Sequence, residues 1–332
     1  MLTQKTFALH PAWLYGLLGA ACFQCSPTTT TQESTLPTPE VFLVHQDTCT
    51  LGEGAYWHSA GDAFWWVDIE GMALHRLSST GNYERHSMPS RIGTVVADTL
   101  GRAVVALENV GIGAYNWDTR IFSRIANPLA GMDSIRYNDG KCDPQGRLWV
   151  GSMHLKQYEG AAKLYRVDPD RNTSVWREGV TISNGLCWSA DRRTMYYIDT
   201  PTGAVRAFAY NDSTGAIDTG RVVVTIPDTL GYPDGMTIDA EDKLWIALWN
   251  GNSITRWDPV TGALLEQIEV PAHNVTSVAF GTANYDTLYI TTARTDMTAE
   301  ELEQYPLSGS VFGVAPGVSG IPMGVFGQSL SK

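Results

Sequence analysis

Four oxygen-bearing side chains sit in short glycine-flanked stretches: Glu53 in LGEGAYW, Asn138 in RYNDGK, Asn184 in ISNGL and Asp234 in GYPDGM. Read singly, Asn-Gly, Asp-Gly and Pro-Asp-Gly are turn signals, because Asx and Gly tolerate left-handed backbone angles. Read together, two carboxylates and two amides are hard donors. They suit Ca²⁺, Mg²⁺ or Mn²⁺ better than structural Zn²⁺. Two carboxylates neutralise a dication only in part, and a small ligand set leaves positions open for water and substrate. Such a centre can polarise a carbonyl and activate water. The chemistry requires that the four positions face one another.

Beyond residue 40 the chain is a series of short runs rich in Val, Ile, Trp and Tyr, separated by Gly, Asp and Asn, as in an all-β fold. A weak helical patch at DMTAEELEQ (296–304) is the exception. Six runs follow a similar polar turn: FWWV from Phe64, AVVA from Ala103, LWVG from Leu148, MYYI from Met195, LWIA from Leu244 and LYIT from Leu288. Their starts lie 39 to 49 residues apart. Periods of that length, with several strands each, are those of propeller blades. The chain is therefore expected to be a six-bladed β-propeller with a central metal site. EVFLVHQ (40–46) is expected to pair with C-terminal strands such as SVFGV (310–314) and close the ring. Ten or eleven residues before the six runs stand Glu53, Gly93, Asn138, Asn184, Asp234 and Val278. Equivalent positions of radial repeats face one axis, so four of the six would present oxygen donors to it.

The rest of the chain bounds the reading. It has 332 residues, 43% hydrophobic, with 23 basic and 35 acidic side chains and a formal charge of −12. That charge gives no reason to approach nucleic acid and suits small neutral substrates or cations. Residues 1–22 resemble a secretory or lipoprotein leader, with Lys5 before the apolar run AWLYGLLGAAC and Cys22 as a candidate lipid anchor. Residues 23–40 read as a disordered Thr/Pro-rich linker, and 41–332 as the propeller. Export to an extracytoplasmic compartment follows from the leader, with a cytoplasmic location as the alternative. Cys22 and Cys25 form a weak CxxC, whereas Cys142 and Cys187 read as small core residues. The seven His show no metal-ligand spacing, and His154 is by default a surface residue. No GxSxG elbow, HExxH or Walker loop is present.

LGEGAYW, RYNDGKCDPQGRLWVGSM, ISNGLCWSADRRTMYYID, PDGMTIDAEDKLWIALWNG and FGTANYDTLYITTAR together resemble the motif series of the regucalcin (senescence marker protein)/gluconolactonase family, in order from about Val41 to Gly327. The resemblance implies a metal-dependent lactonase that opens sugar (aldono-) lactones such as gluconolactone. It implies Glu53, Asn184 and Asp234 as metal ligands and Arg136 and Asn138 as substrate contacts; Arg136 comes from the resemblance alone, and Asp234 is then expected to act as general base on a water or to orient a metal-bound one. One divalent ion is implied, Ca²⁺ first, with Zn²⁺, Mn²⁺, Mg²⁺ or Fe²⁺ as alternatives. In regucalcin an acidic substrate contact follows the G-T-M segment, but here the chain reads GSMHLK, with Lys156 near that place. The alternatives are an organophosphate or aryl-ester hydrolase on the same site, and a noncatalytic calcium-binding propeller.

Overall fold

The structure, a computed structural model, describes residues 39–330. The expected leader, the Cys22–Cys25 pair and nearly all of the expected linker lie outside the described residues.

Among the described residues the chain forms six four-stranded antiparallel sheets. Each inner strand touches the inner strands of the blades before and after it, so the sheets close into a ring. The inner strands are Gly52–His58, Ile92–Ala97, Ile135–Cys142, Ser183–Trp188, Tyr232–Ile238 and Asn274–Gly281. The six apolar runs form the second strands, such as Ala63–Asp68, Leu148–His154 and Leu244–Trp249. These are covered on both faces by neighbouring blades, and Trp66, Trp149 and Trp245 are fully buried on them. That double burial explains why they read as continuous apolar runs rather than alternating ones. Outermost strands such as Phe122–Ala126 and Leu264–Glu269 are half exposed.

The expected closure is present. Val41–His45 joins the last blade against Val311–Val314, with Val41 opposite Val314 and Leu43 opposite Phe312. The first and last segments of the propeller thus share one sheet, which leaves no open edge at the seam. The patch at 296–304 contains the α-helix Ala299–Gln304, started by a capping box between Thr298 and Glu301.

Three of the six polar turns that mark the repeat share one construction. Asp98 Oδ1 accepts the N–H groups of Leu100 and Arg102, both at 2.9 Å. Asp143 Oδ1 does the same for Gln145 and Arg147 at 3.0 Å, and Asp239 Oδ1 for Glu241 and Lys243 at 2.9 Å. Each side chain mimics a backbone turn acceptor, the reason Asx residues start turns. The other oxygen ties the turn to its blade: Asp143 Oδ2 accepts Trp149 Nε1–H at 2.9 Å and Asp239 Oδ2 accepts Trp245 Nε1–H at 3.0 Å.

Candidate active site

The apparent turn RYNDGK lies inside an inner strand, and ISNGL and GYPDGM do so from their second residues, Ser183 and Tyr232. Local turn chemistry is overridden there, and the reason is a bulge. In blade three Tyr137 pairs with Ser152 and Gly140 with Val150, so Asn138 and Asp139 together oppose Gly151. Asn184 and Gly185 break the register in blade four, and Asp234 and Gly235 in blade five. Gly54 and Ala55, Gly93 and Thr94, and Thr276 do so in blades one, two and six. An extra residue bends the strand and re-aims its side chain. The repeated donor phase is therefore a ring of bulges. Two details of the sequence phase change: the bulge of blade six falls on Thr276 rather than Val278, and Glu53 stands one residue before its bulge.

The glycines in these bulges serve close approach between blades. A Cβ on Gly185 would stand 2.5 Å from Met236 Cβ, and one on Gly235 would stand 2.7 Å from Thr276 O. Of the bulge glycines only Gly54 has a left-handed φ, +62°.

All five expected residues are buried and brought together. Arg136 Nη1 donates to Asn138 Oδ1 at 2.6 Å. Asn138 Nδ2 donates to Asn184 Oδ1 at 3.0 Å and to Ser183 O at 2.8 Å. Asn184 Nδ2 donates to Thr200 Oγ1 at 2.7 Å, and Thr200 donates onward to Pro233 O at 2.8 Å. This relay fixes both amides. Asn184 Nδ2 is committed to Thr200, which leaves its oxygen on the side of Asn138. The Glu53 and Asp234 carboxyls are close enough to shift each other's titration, Glu53 Oε2 accepts Gly54 N–H at 3.1 Å, and Asp234 Oδ1 is buried without a partner.

The charges explain that effect. Burial first, then the nearby Asp139 carboxylate, push the Glu53 carboxyl up to about 8 against the pull of the Gly54 N–H and Arg136. Burial first, then Glu53 and Asp139, hold Asp234 well above the usual carboxylate range. Three buried acids, Glu53, Asp139 and Asp234, thus face two buried bases, Arg136 and Lys141. Burying like charges together is costly without a counter-ion. An orphaned carboxylate oxygen, a second buried carboxylate acting on it and an oriented amide oxygen fit a hard divalent cation held by Glu53, Asn184 and Asp234.

This has a consequence for stability. Glu53 has a folded value near 8 against 4.5 unfolded. Between those values the native state binds more protons than the unfolded chain, so stability falls as pH rises. Metal-stripped protein is expected to melt at progressively lower temperature from about pH 5 to about pH 8; a saturating divalent cation should flatten the slope, and Asp234→Asn should reduce it by removing the second raised carboxyl. Thermal melts in chelator across that range check this; the same slope in wild type and Asp234→Asn would contradict it.

Several participants carried no sequence signal. Thr200 follows the second strand of blade four, and its role rests on a contact made across the blade. Asp139 and Lys141 were hidden as ordinary members of RYNDGK; Lys141 Nζ caps the Met236 carbonyl. Arg91 bonds Glu70 at 2.8 Å and Glu108 at 3.1 Å, and both acids act on Arg136 through space. Acidic groups therefore reach the Arg136 side from blades one and two, while Lys156 is exposed. His154 stacks on Tyr158 at 4.3 Å and is half-buried. Cys142 and Cys187 are buried and free, as expected. A convergence that no sequence spacing shows is also present: ligand atoms of Asp47, Cys49 and His75 lie within 4.8 Å of one another. A cavity of about 990 Å³ lies where inner strands end, beside Lys141, Cys142 and Cys187, and none of the five candidate residues lines it.

A propeller whose inner strands bulge to present a buried set of carboxylates and amides defines a class, and the comparisons place the chain within it. Residues 51–294 match the model of the SMP-30/gluconolactonase/LRE-like region, and the chain belongs to that family. It is 38% identical to regucalcin of Danio rerio over 276 residues, 82% of this chain and 93% of that protein. It is 35% identical over 262 residues to YvrE of Bacillus subtilis (strain 168), provisionally named a sugar lactone lactonase, covering 79% and 90%. Among solved structures, a luciferin-regenerating enzyme superposes with a TM-score of 0.82 at 30% identity, covering 87% of this chain and all of that one. A regucalcin of Agrobacterium tumefaciens, described as a calcium-binding protein, gives 0.82 at 25% identity, covering 87% and 97%.

Proposed function

We propose that the chain is a divalent-metal-dependent hydrolase that opens sugar lactones to aldonic acids. Family membership supports lactone hydrolysis as the general activity. The observation that carries the finer reading is the convergence of the Glu53, Asn184 and Asp234 oxygens beside the Arg136–Asn138 pair. Glu53, Asn184 and Asp234 would hold the ion, which supplies a Lewis acid for the lactone carbonyl and the charge that develops on it. Calcium is the first choice for an all-oxygen set.

The chain's own residues supply the rest. Asp234 Oδ1, free of other partners, removes a proton as water adds to the carbonyl carbon. The ring C–O bond then breaks, and the proton goes to the departing ring oxygen. Arg136 has one nitrogen engaged by Tyr137 O and Asn138 Oδ1. The rest of its guanidinium fork is offered to substrate oxygens, held in one orientation by Asn138. Asn138 has both amide hydrogens committed, so it acts mainly by locking Arg136 and the Asn184 oxygen.

Arg136→Lys keeps the charge and loses the fork. It is expected to raise KM for the preferred lactone by roughly tenfold or more, with a smaller change in kcat. Steady-state kinetics decide this, and an unchanged KM would remove Arg136 from substrate binding. The reading itself is tested by following proton release from gluconolactone, xylonolactone and related lactones. A paraoxon or aryl ester turned over far better than every lactone would replace it, and ion binding with no turnover of any of these would favour a noncatalytic calcium-binding propeller.

A further inference from the structure

The residues that cross from the last blade into the first carry a second, chemically different donor set. Asp47 and Cys49 lie between the closing strand Val41–His45 and the inner strand Gly52–His58, and His75 lies on Ala73–Ser78, the third strand of blade one. A carboxylate oxygen, the thiol sulfur and an imidazole nitrogen of these three residues all lie within 4.8 Å of one another. Asp47 Oδ2 is 3.5 Å from His75 Nδ1, and the Tyr83 hydroxyl stands 2.9 Å from that nitrogen and 3.2 Å from that oxygen. Cys49 and His75 are 2% and 1% exposed. His75 Nε2 is buried without a partner. The imidazole is held flat against Trp66, with centroids 4.8 Å apart. Asp47 is partly open to solvent, which gives an ion a way in.

From this geometry we infer that Asp47, Cys49 and His75 form a binding site for a transition-metal dication of the zinc class, separate from the oxygen donors of the bulge ring. Thiolate, imidazole and carboxylate together are a borderline-soft set that suits Zn²⁺ or Co²⁺, whereas an all-oxygen set selects harder ions. Three protein ligands leave a fourth position for water. Binding exchanges the Cys49 thiol proton for a metal–sulfur bond and releases that proton to solvent.

The place gives the site a consequence. Cys49 N–H donates to Gly309 O at 3.1 Å, Asp47 N–H donates to Ser310 Oγ at 3.2 Å, and Ser310 Oγ–H returns a bond to Asp47 O at 3.0 Å. The ligating segment is thus tied to the last blade, while His75 belongs to the first. An ion bridging them clasps the seam where the ring closes, and an ion that binds only the closed ring stabilises it by mass action.

The test is cobalt substitution of the metal-stripped full chain carrying Cys22→Ser and Cys25→Ser, so that the CxxC thiols cannot contribute. Titration with Co²⁺ is expected to give a thiolate-to-cobalt charge-transfer band in the near ultraviolet that saturates at about one equivalent and is bleached by Zn²⁺. The band should vanish in Cys49→Ser and weaken in His75→Gln, with folding of both checked by circular dichroism. It should persist in Asp234→Asn, which disables only the bulge-ring site. Zn²⁺ should raise the melting temperature of the parent more than that of Cys49→Ser. Absence of the band in the parent, its survival in Cys49→Ser or its loss in Asp234→Asn would each overturn the inference.

Discussion

Asp234→Asn is expected to lower kcat for lactone hydrolysis by about 10²–10⁴-fold, the usual worth of a positioned general base. The same change is expected to raise the melting temperature of the metal-stripped protein. Both effects come from one carboxylate. In the fold it is a liability, because it is buried against Glu53 and Asp139 with one oxygen unpartnered. Asparagine keeps the shape and removes a charge from that crowd. In the reaction, the feature that costs stability supplies a proton acceptor and an ion ligand. Active sites often trade stability for function in this way. Parallel measurement of kcat and thermal melts in chelator checks both halves. Full activity in Asp234→Asn would remove the base, and a lower melting temperature would refute the account of the buried charges.

The largest loss of stability is expected at Asp143 rather than at the site. Asp143 is fully buried. It accepts Arg147 Nε–H at 2.6 Å, Tyr210 O–H at 2.8 Å and Trp149 Nε1–H at 2.9 Å, besides the two backbone N–H groups of its turn. Asp143→Ala leaves the buried Arg147 without its counter-charge and strands those donors. Breaking a buried pair on one side costs about 3–5 kcal/mol. Asp98→Ala is the internal control, because Arg102 is 35% exposed and water can replace the lost oxygen. Its cost should be nearer 1 kcal/mol for the turn bonds alone. Urea denaturation of both variants checks the ranking, and equal losses would contradict it.

The repeat was legible because blade burial is periodic. Second strands are covered on both sides, so Phe64, Trp149 and Trp245 announce themselves as apolar runs, and in three blades the Asp that builds the turn, Asp98, Asp143 or Asp239, stands just ahead of the run. The closing strand was legible for the same reason. The bulges were not legible, because register is a tertiary property: Asn138-Asp139-Gly140 reads locally as a turn, and only pairing against Ser152 and Val150 makes it a bulge. Counting from the anchors therefore reached Asn138, Asn184 and Asp234 but missed Thr276. Arg136 has no repeat phase and came from the family motif alone. Thr200 and the Glu70–Arg91–Glu108 group depend on contacts between strands or blades that no spacing encodes. The meeting of Asp47 and Cys49 with His75 was hidden for a related reason: His75 reaches them from a strand two positions further out in the blade.

The central claim is that the Glu53–Asn184–Asp234 set binds one divalent ion and that lactone opening depends on it. Proton release from a panel of aldonolactones, with chelated protein and then with Ca²⁺, Mg²⁺, Mn²⁺, Zn²⁺ or Fe²⁺ restored, tests it most directly. Turnover should disappear in chelator and return with at least one of these ions in the wild type, and should stay low with every ion in Asp234→Asn. Lactone turnover that survives complete removal of metal, or no turnover of any lactone by metal-loaded protein, would contradict the account.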